Sequence, residues 1–113
     1  MIILEKQISI AELASIAEEM YGDMVKAVAD VENNRLAIDA ELHSDLEQLL
    51  LENGSEQENL WGLNIYPEMV GEDFIEFDSL INIRPRQNNR SRYVESEEVR
   101  ERITEIVNKF IGR

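Results

Sequence analysis

Arg84, Arg86, Arg90 and Arg92 place four arginines within nine residues, the densest concentration of basic residues in the chain. Guanidinium groups grip phosphate or carboxylate oxygens through paired N–H···O bonds. The run leads to Ser96, a good helix N-cap, and free backbone N–H groups at a helix start favour an anion. Asn88, Asn89 and Ser91 offer neutral hydrogen bonds beside them. The chemistry is anion recognition. The competing reading is structural: these arginines pair with Glu76, Asp78 and the acidic helices of a chain holding 24 acids against 11 bases. No glycine-rich phosphate loop is present, which excludes nucleotide hydrolysis by that route.

Two further groupings carry chemistry. Glu76 and Asp78 lie two apart on an alternating stretch, which puts them on one side of a strand roughly 6–7 Å apart. Paired carboxylates near a basic group suit acid–base work or a hard cation, and as an enzyme the chain would use these two. Glycosidase-type pairs need a deep cleft, which so short a chain hardly supplies. Such a face is more often solvated or covered by a partner. Glu41, His43 and Asp45 are metal-ligand types, but residues two apart on a helix point to different sides. His43 is the only histidine. No metal or cofactor is expected.

These residues need elements to hold them. Ile2 to Glu5 reads as a short strand. Ser9 with Glu12 forms a capping box, followed by a helical stripe of Ile10, Leu13, Ala14, Ala17, Met20 and Tyr21 that Gly22 stops. From Met24 to Glu32 the period becomes two, with Val28 breaking the alternation. Asn33-Asn34 turns the chain into a second strand, Arg35 to Ala40. Leu42, Leu46, Leu49 and Leu50 mark a second helix ending at Gly54. Leu60 to Tyr66 is a strand. Asp73 to Arg84 reads as another, long one, with Ile75, Phe77, Ile81 and Ile83 inward and Glu76, Asp78, Asn82 and Arg84 outward. Pro85 ends it, and a last helix follows Ser96.

The order β-α-β-β-α-β-β-α predicts one α+β domain over residues 1–113. Its mostly antiparallel sheet has four or five strands, with the helices packed on one face and the other face open. On that open face Lys26, Asp30 and Glu32 join Asn64, Tyr66, Glu76, Asp78, Asn82 and Arg84.

A chain of 113 residues encloses one core without metals or disulfides, and there is no cysteine for thiol chemistry. The N-terminus lacks the pattern of a secretory signal, and no apolar run suits a bilayer. The expectation is a soluble, cytoplasmic protein. A net charge of −13 opposes nucleic-acid or anionic-membrane binding, since phosphates are repelled. The charge is lopsided. Residues 1–83 hold 19 acids against Lys6, Lys26 and Arg35, a net of −16, whereas residues 84–113 carry a net of +3.

At YGDMVKAV, ELHSDLEQLLLENGSEQENLWGLNIYP, IEFDSLINIRP and NRSRYVES the chain resembles a family of short prokaryotic proteins of unknown function. The resemblance runs from about Tyr21 into the last helix. It implies a free-standing prokaryotic domain and carries no activity, substrate or cofactor. The functional expectation is a non-enzymatic interaction module, a homodimer or the partner of another protein, using the open sheet face and the arginine loop. The alternative is a small enzyme or ligand-binding domain that recognises a phosphate or carboxylate through that loop.

Overall fold

The structure is a computed structural model describing residues 1–113. In chain order its elements are β1 (Ile2–Ile3), β2 (Ile8–Ser9), α1 (Ile10–Met20), β3 (Val25–Asp30) and β4 (Arg35–Ile38). They continue with α2 (His43–Glu52), β5 (Leu60–Ile65), β6 (Ile75–Glu76), α3 (Glu97–Phe110) and β7 (Ile111–Gly112). Short 3-10 turns at Gln57–Asn59, Gly71–Asp73, Leu80–Asn82 and Pro85–Gln87 fill the connections. The class is α+β.

Local chemistry explains the ends of the elements. The Ser9 hydroxyl accepts the Glu12 N–H at 3.1 Å, and the Glu12 carboxylate accepts the Ser9 N–H at 3.2 Å. That reciprocal cap at α1 stabilises by about 1 kcal/mol. The Ser96 hydroxyl caps α3 by accepting the Val99 N–H at 3.2 Å. Asn34 takes the left-handed conformation, φ 54°, that the β3–β4 turn requires.

β1-β4-β3-β5-β6 form one antiparallel sheet, and β2 pairs in parallel with β7 in a second, two-stranded one. The small sheet ties the start of α1 to the end of α3, and nothing in the periodicity signalled it.

Both faces of the main sheet are covered, which corrects the one-sided packing expected from the sequence. On one face α1 and α3 bring Leu13, Ala17, Ile103 and Ile106 onto Val25, Ala27, Ala29, Leu63 and Ile65. On the other, Leu46 and Leu50 of α2 pack with Val28, Ala37 and Leu60. Each fully buried leucine there contributes about 1.5–3 kcal/mol. Val28, the residue out of phase on β3, belongs to this second core.

The long strand at Asp73–Arg84 is corrected too. The strand ends at Glu76 and the chain then crosses the α2-side face of the sheet. Gly62 makes room for the crossing: a Cβ there would lie 2.5 Å from Ser79 Cβ. Asn82 fastens it. Its Oδ1 accepts the Gly62 N–H at 2.8 Å, while its Nδ2 donates to Gly62 O and Arg92 O, both at 3.0 Å. One side-chain amide thereby pairs with a peptide group as a neighbouring strand would. Asn82 is buried, not outward, and Ile83 is exposed, not inward.

Candidate functional site

The arginine loop is built on Asn89. Its side chain is buried, with Nδ2 within 2.7–3.0 Å of the carbonyls of Asn82, Ser91 and Tyr93, and Oδ1 accepting the Glu95 N–H at 2.9 Å. A residue expected to face an anion instead holds the loop's backbone together.

The arginines have separate fates. Arg84 reaches back to donate to the carbonyls of Gln57 and Leu60, and its guanidinium lies over the Trp61 ring at 4.1 Å. Burial pushes its pKa down, with Glu47 opposing the shift. Arg92 forms a bidentate pair with Asp78 at 2.8 and 3.0 Å. That bond raises the Arg92 pKa. Arg86 and Arg90 are exposed, and their guanidinium groups have no hydrogen-bond or ion-pair partner. Ser91 and the N–H groups of Arg90 and Ser91 do surround an anion, the carboxylate of Glu95, at 2.9–3.0 Å. The Ser91 hydroxyl, then those N–H groups, hold Glu95 below the usual carboxylate range. The loop has built an oxyanion cradle and filled it from within.

The metal-type trio does not converge. His43 turns inward, with Nε2 2.8 Å from Leu63 O, while Glu41 and Asp45 are exposed. Burial lowers the His43 pKa, opposed by the Leu63 carbonyl. No three acid or imidazole side chains are grouped to hold a metal ion.

Of the sheet face expected to be open, Asp30, Asn64 and Asn82 are buried. Asp30 accepts the Ser55 hydroxyl at 2.6 Å and Glu32 and Asn33 N–H groups at 3.0 Å. Burial alone would raise its pKa, but these bonds bring it below the ordinary value. What stays open lies beside β6. The Glu76 carboxylate accepts Asn64 Nδ2 at 2.8 Å and the Tyr66 hydroxyl at 3.0 Å. Burial first, then Glu76, pushes the Tyr66 pKa up to about 12, so the phenol remains a donor.

This cluster forms one wall of a groove of about 990 Å³ that also takes in Asp78. Ile75, Phe77 and Tyr93 line its apolar part, and Arg100, Thr104 and Arg113 close it from α3 and the C-terminus. Phe77 and Tyr93 meet edge to face at 6.3 Å, and Arg100 and Arg113 lie over the rings of Tyr93 and Phe74 at 4.9 and 4.1 Å. Neither arginine pairs with a carboxylate: Arg100 donates to Val94 O and Glu95 O, Arg113 to Asn108 Oδ1. Sequence reasoning found Glu76, Asp78 and Tyr66 here but missed Tyr93, Arg100 and Arg113. Tyr93 and Arg100 had as their only signal a position close to the loop, and Arg113, at the end of the chain, had none.

Compared with curated proteins and with solved structures, the chain matches none. The family described as "Protein of unknown function (DUF5674)" matches residues 2–110. With nearly its whole length covered, the chain belongs to that family of uncharacterised function.

Proposed function

We propose that the chain is a non-enzymatic protein-interaction module whose principal contact surface is the groove beside β6. The observation that carries this reading is the make-up of that groove. Tyrosine, methionine and arginine are the residue types enriched at protein interfaces. Here Tyr66, Tyr93, Met69, Arg100 and Arg113 share one open concavity. Met69 and Tyr93 are about half exposed, and Val70, next to Met69 in the chain, is 78% exposed. The free guanidinium groups of Arg86 and Arg90 supply a second, cationic contact. The partner is another protein or a second copy of the chain.

The test is co-purification after cross-linking in the native cell, comparing wild type with Met69→Asp and Tyr93→Ala proteins of unchanged melting temperature. A partner held by wild type and lost from both variants supports the reading. A partner recovered equally from all three removes the groove from it. Solution mass at micromolar concentration decides the second-copy case, since self-association gives a value above 13.1 kDa.

A second reading, recognition of a small phosphate or carboxylate, rests on the unpaired side chains of Arg86 and Arg90. It predicts that phosphate raises the melting temperature of wild type and that Arg86→Ala with Arg90→Ala abolishes the rise. A melting temperature flat across the titration removes it.

A further inference from the structure

β6 is an edge strand, and the phase of its ladder leaves hydrogen-bonding groups facing outward. The Tyr66 N–H donates to Phe74 O at 2.9 Å, and Asn64 and Ile65 stand opposite Glu76 and Ile75. In an antiparallel pair, hydrogen-bonded and non-hydrogen-bonded positions alternate. Phe74 and Glu76 therefore bond to β5, while the N–H and C=O of Ile75 point away from it. No strand lies beyond β6, but Asp78 already bridges antiparallel to Tyr93, with the Ser79 N–H donating to Arg92 O at 3.1 Å, so the unpaired edge is centred on Ile75. The groove runs alongside this unpaired stretch.

Resting on the interaction reading above, we propose that the groove takes an extended segment of another protein as a strand added to β6. Such a segment carries basic residues on the side of Glu76 and apolar residues on the side of Phe77. Main-chain bonds supply affinity in strand addition and alternate side chains supply specificity. On one side the added strand meets Glu76, with the Tyr66 hydroxyl close by and Asp78 already held by Arg92. On the other it meets Ile75, Phe77 and Tyr93.

The same charges disfavour a second copy at this edge. Pairing Ile75 with Phe77 of a copy sets Glu76 against Glu76, and pairing Phe77 with Phe77 sets Glu76 against Asp78. Like charges directly opposite one another destabilise a pair of strands. Pairing Ile75 with Ile75 sets Glu76 against Phe74, and there the conflict is only the general one of a stretch, Glu72 to Asp78, that carries four acids and no base.

The probe is a blocked peptide of about seven residues in which lysine alternates with valine, with glutamate in place of lysine as control. Each is titrated into the labelled full chain and followed by amide chemical shifts and hydrogen exchange. The lysine peptide should slow exchange at Ile75 and bind about tenfold more tightly than the control. Ile75→Pro removes an outward N–H that β5 does not use, although the αR backbone of Phe74 before it disfavours a following proline; where the variant folds, it should abolish binding. Glu76→Lys, at an exposed position, should abolish the preference for lysine and serves alone if the proline variant does not fold. Equal binding of the two peptides overturns the charge pattern. Shifts at Met69 and Tyr93 with Ile75 exchange unchanged overturn strand addition while leaving the groove as an interaction surface. No shift in the groove with either peptide at millimolar concentration overturns both.

Discussion

Asn82 and Glu95 each do with one side chain what the backbone would otherwise leave undone. Asn82 satisfies both polar groups of Gly62, a residue in the middle of the sheet that cannot reach water. Asn82→Ala leaves that N–H and C=O buried without partners, at a cost of about 3 kcal/mol. Urea unfolding should show the loss as a lower midpoint, whereas Arg86→Ala, at an exposed side chain, should change stability by less than about 0.5 kcal/mol. Equal effects from the two would remove the clasp role. Glu95 fills the cradle formed by Arg90 and Ser91. Glu95→Ala empties it, so phosphate should raise the melting temperature of the variant more than that of wild type. A variant that responds to phosphate no more than wild type does would show that the cradle needs its own carboxylate to form. The clustering of arginines was legible in the sequence; the division of labour among them was not. An arginine that stacks on Trp61 and one left in solvent have the same letter, and only the chain's path separates them.

At the level of elements, the caps, the hairpin and the three helices could be read because each depends on neighbours in sequence. The side of the sheet to which α2 belongs could not. Leu46, Leu49 and Leu50 show that the helix has an apolar stripe but not which face receives it. The informative signal was the apolar character of β3 and β5 at both parities, Val28 and Leu60 included, as in strands buried on both faces. The strand expected from Asp73 to Arg84 failed for a related reason: beyond β6 the segment crosses the sheet at Gly62, and there Asn82 is buried and Ile83 exposed, against the alternation of the letters. α2 is held to that sheet by His43 at its first turn, and this contact has a pH signature. The folded-state pKa of His43 lies below its ordinary value of 6.5. Its contribution is therefore complete above that value and is lost as pH falls from it toward the folded pKa. Charged neighbours act in both directions, Lys26 lowering and Asp78 raising the pKa. Urea midpoints measured between pH 7.5 and 5.5 should fall for wild type, and His43→Gln should flatten the slope, since its amide still donates to Leu63 O. An unchanged slope in the variant would assign the effect elsewhere.

For the whole molecule, the net charge of −13 is hardly offset by ion pairing. The structural reading of the sequence paired the loop arginines with the chain's acids, but only three salt bridges form in all: Met1 N-terminus with Asp39, Arg92 with Asp78, and Arg102 with Glu105. Arg35, Arg84 and Arg100 instead donate to backbone carbonyls of Asn53, Leu60 and Val94, and Arg102 donates to Val31 O besides pairing with Glu105. The arginines act as clamps on the chain more than as counter-charges, and most of the 24 carboxylates repel one another across the surface. Charges of one sign destabilise the compact state, and salt screens them with a Debye length of about 10 Å at 0.1 M. Raising sodium chloride from low to moderate concentration at neutral pH should therefore raise the melting temperature. The rise should shrink in a variant with Glu12, Glu18 and Glu19 of the exposed α1 face changed to Gln, because less repulsion remains to be screened. A melting temperature that falls with salt would mean that the few ion pairs, Arg92 with Asp78 foremost, outweigh the repulsion of the whole surface.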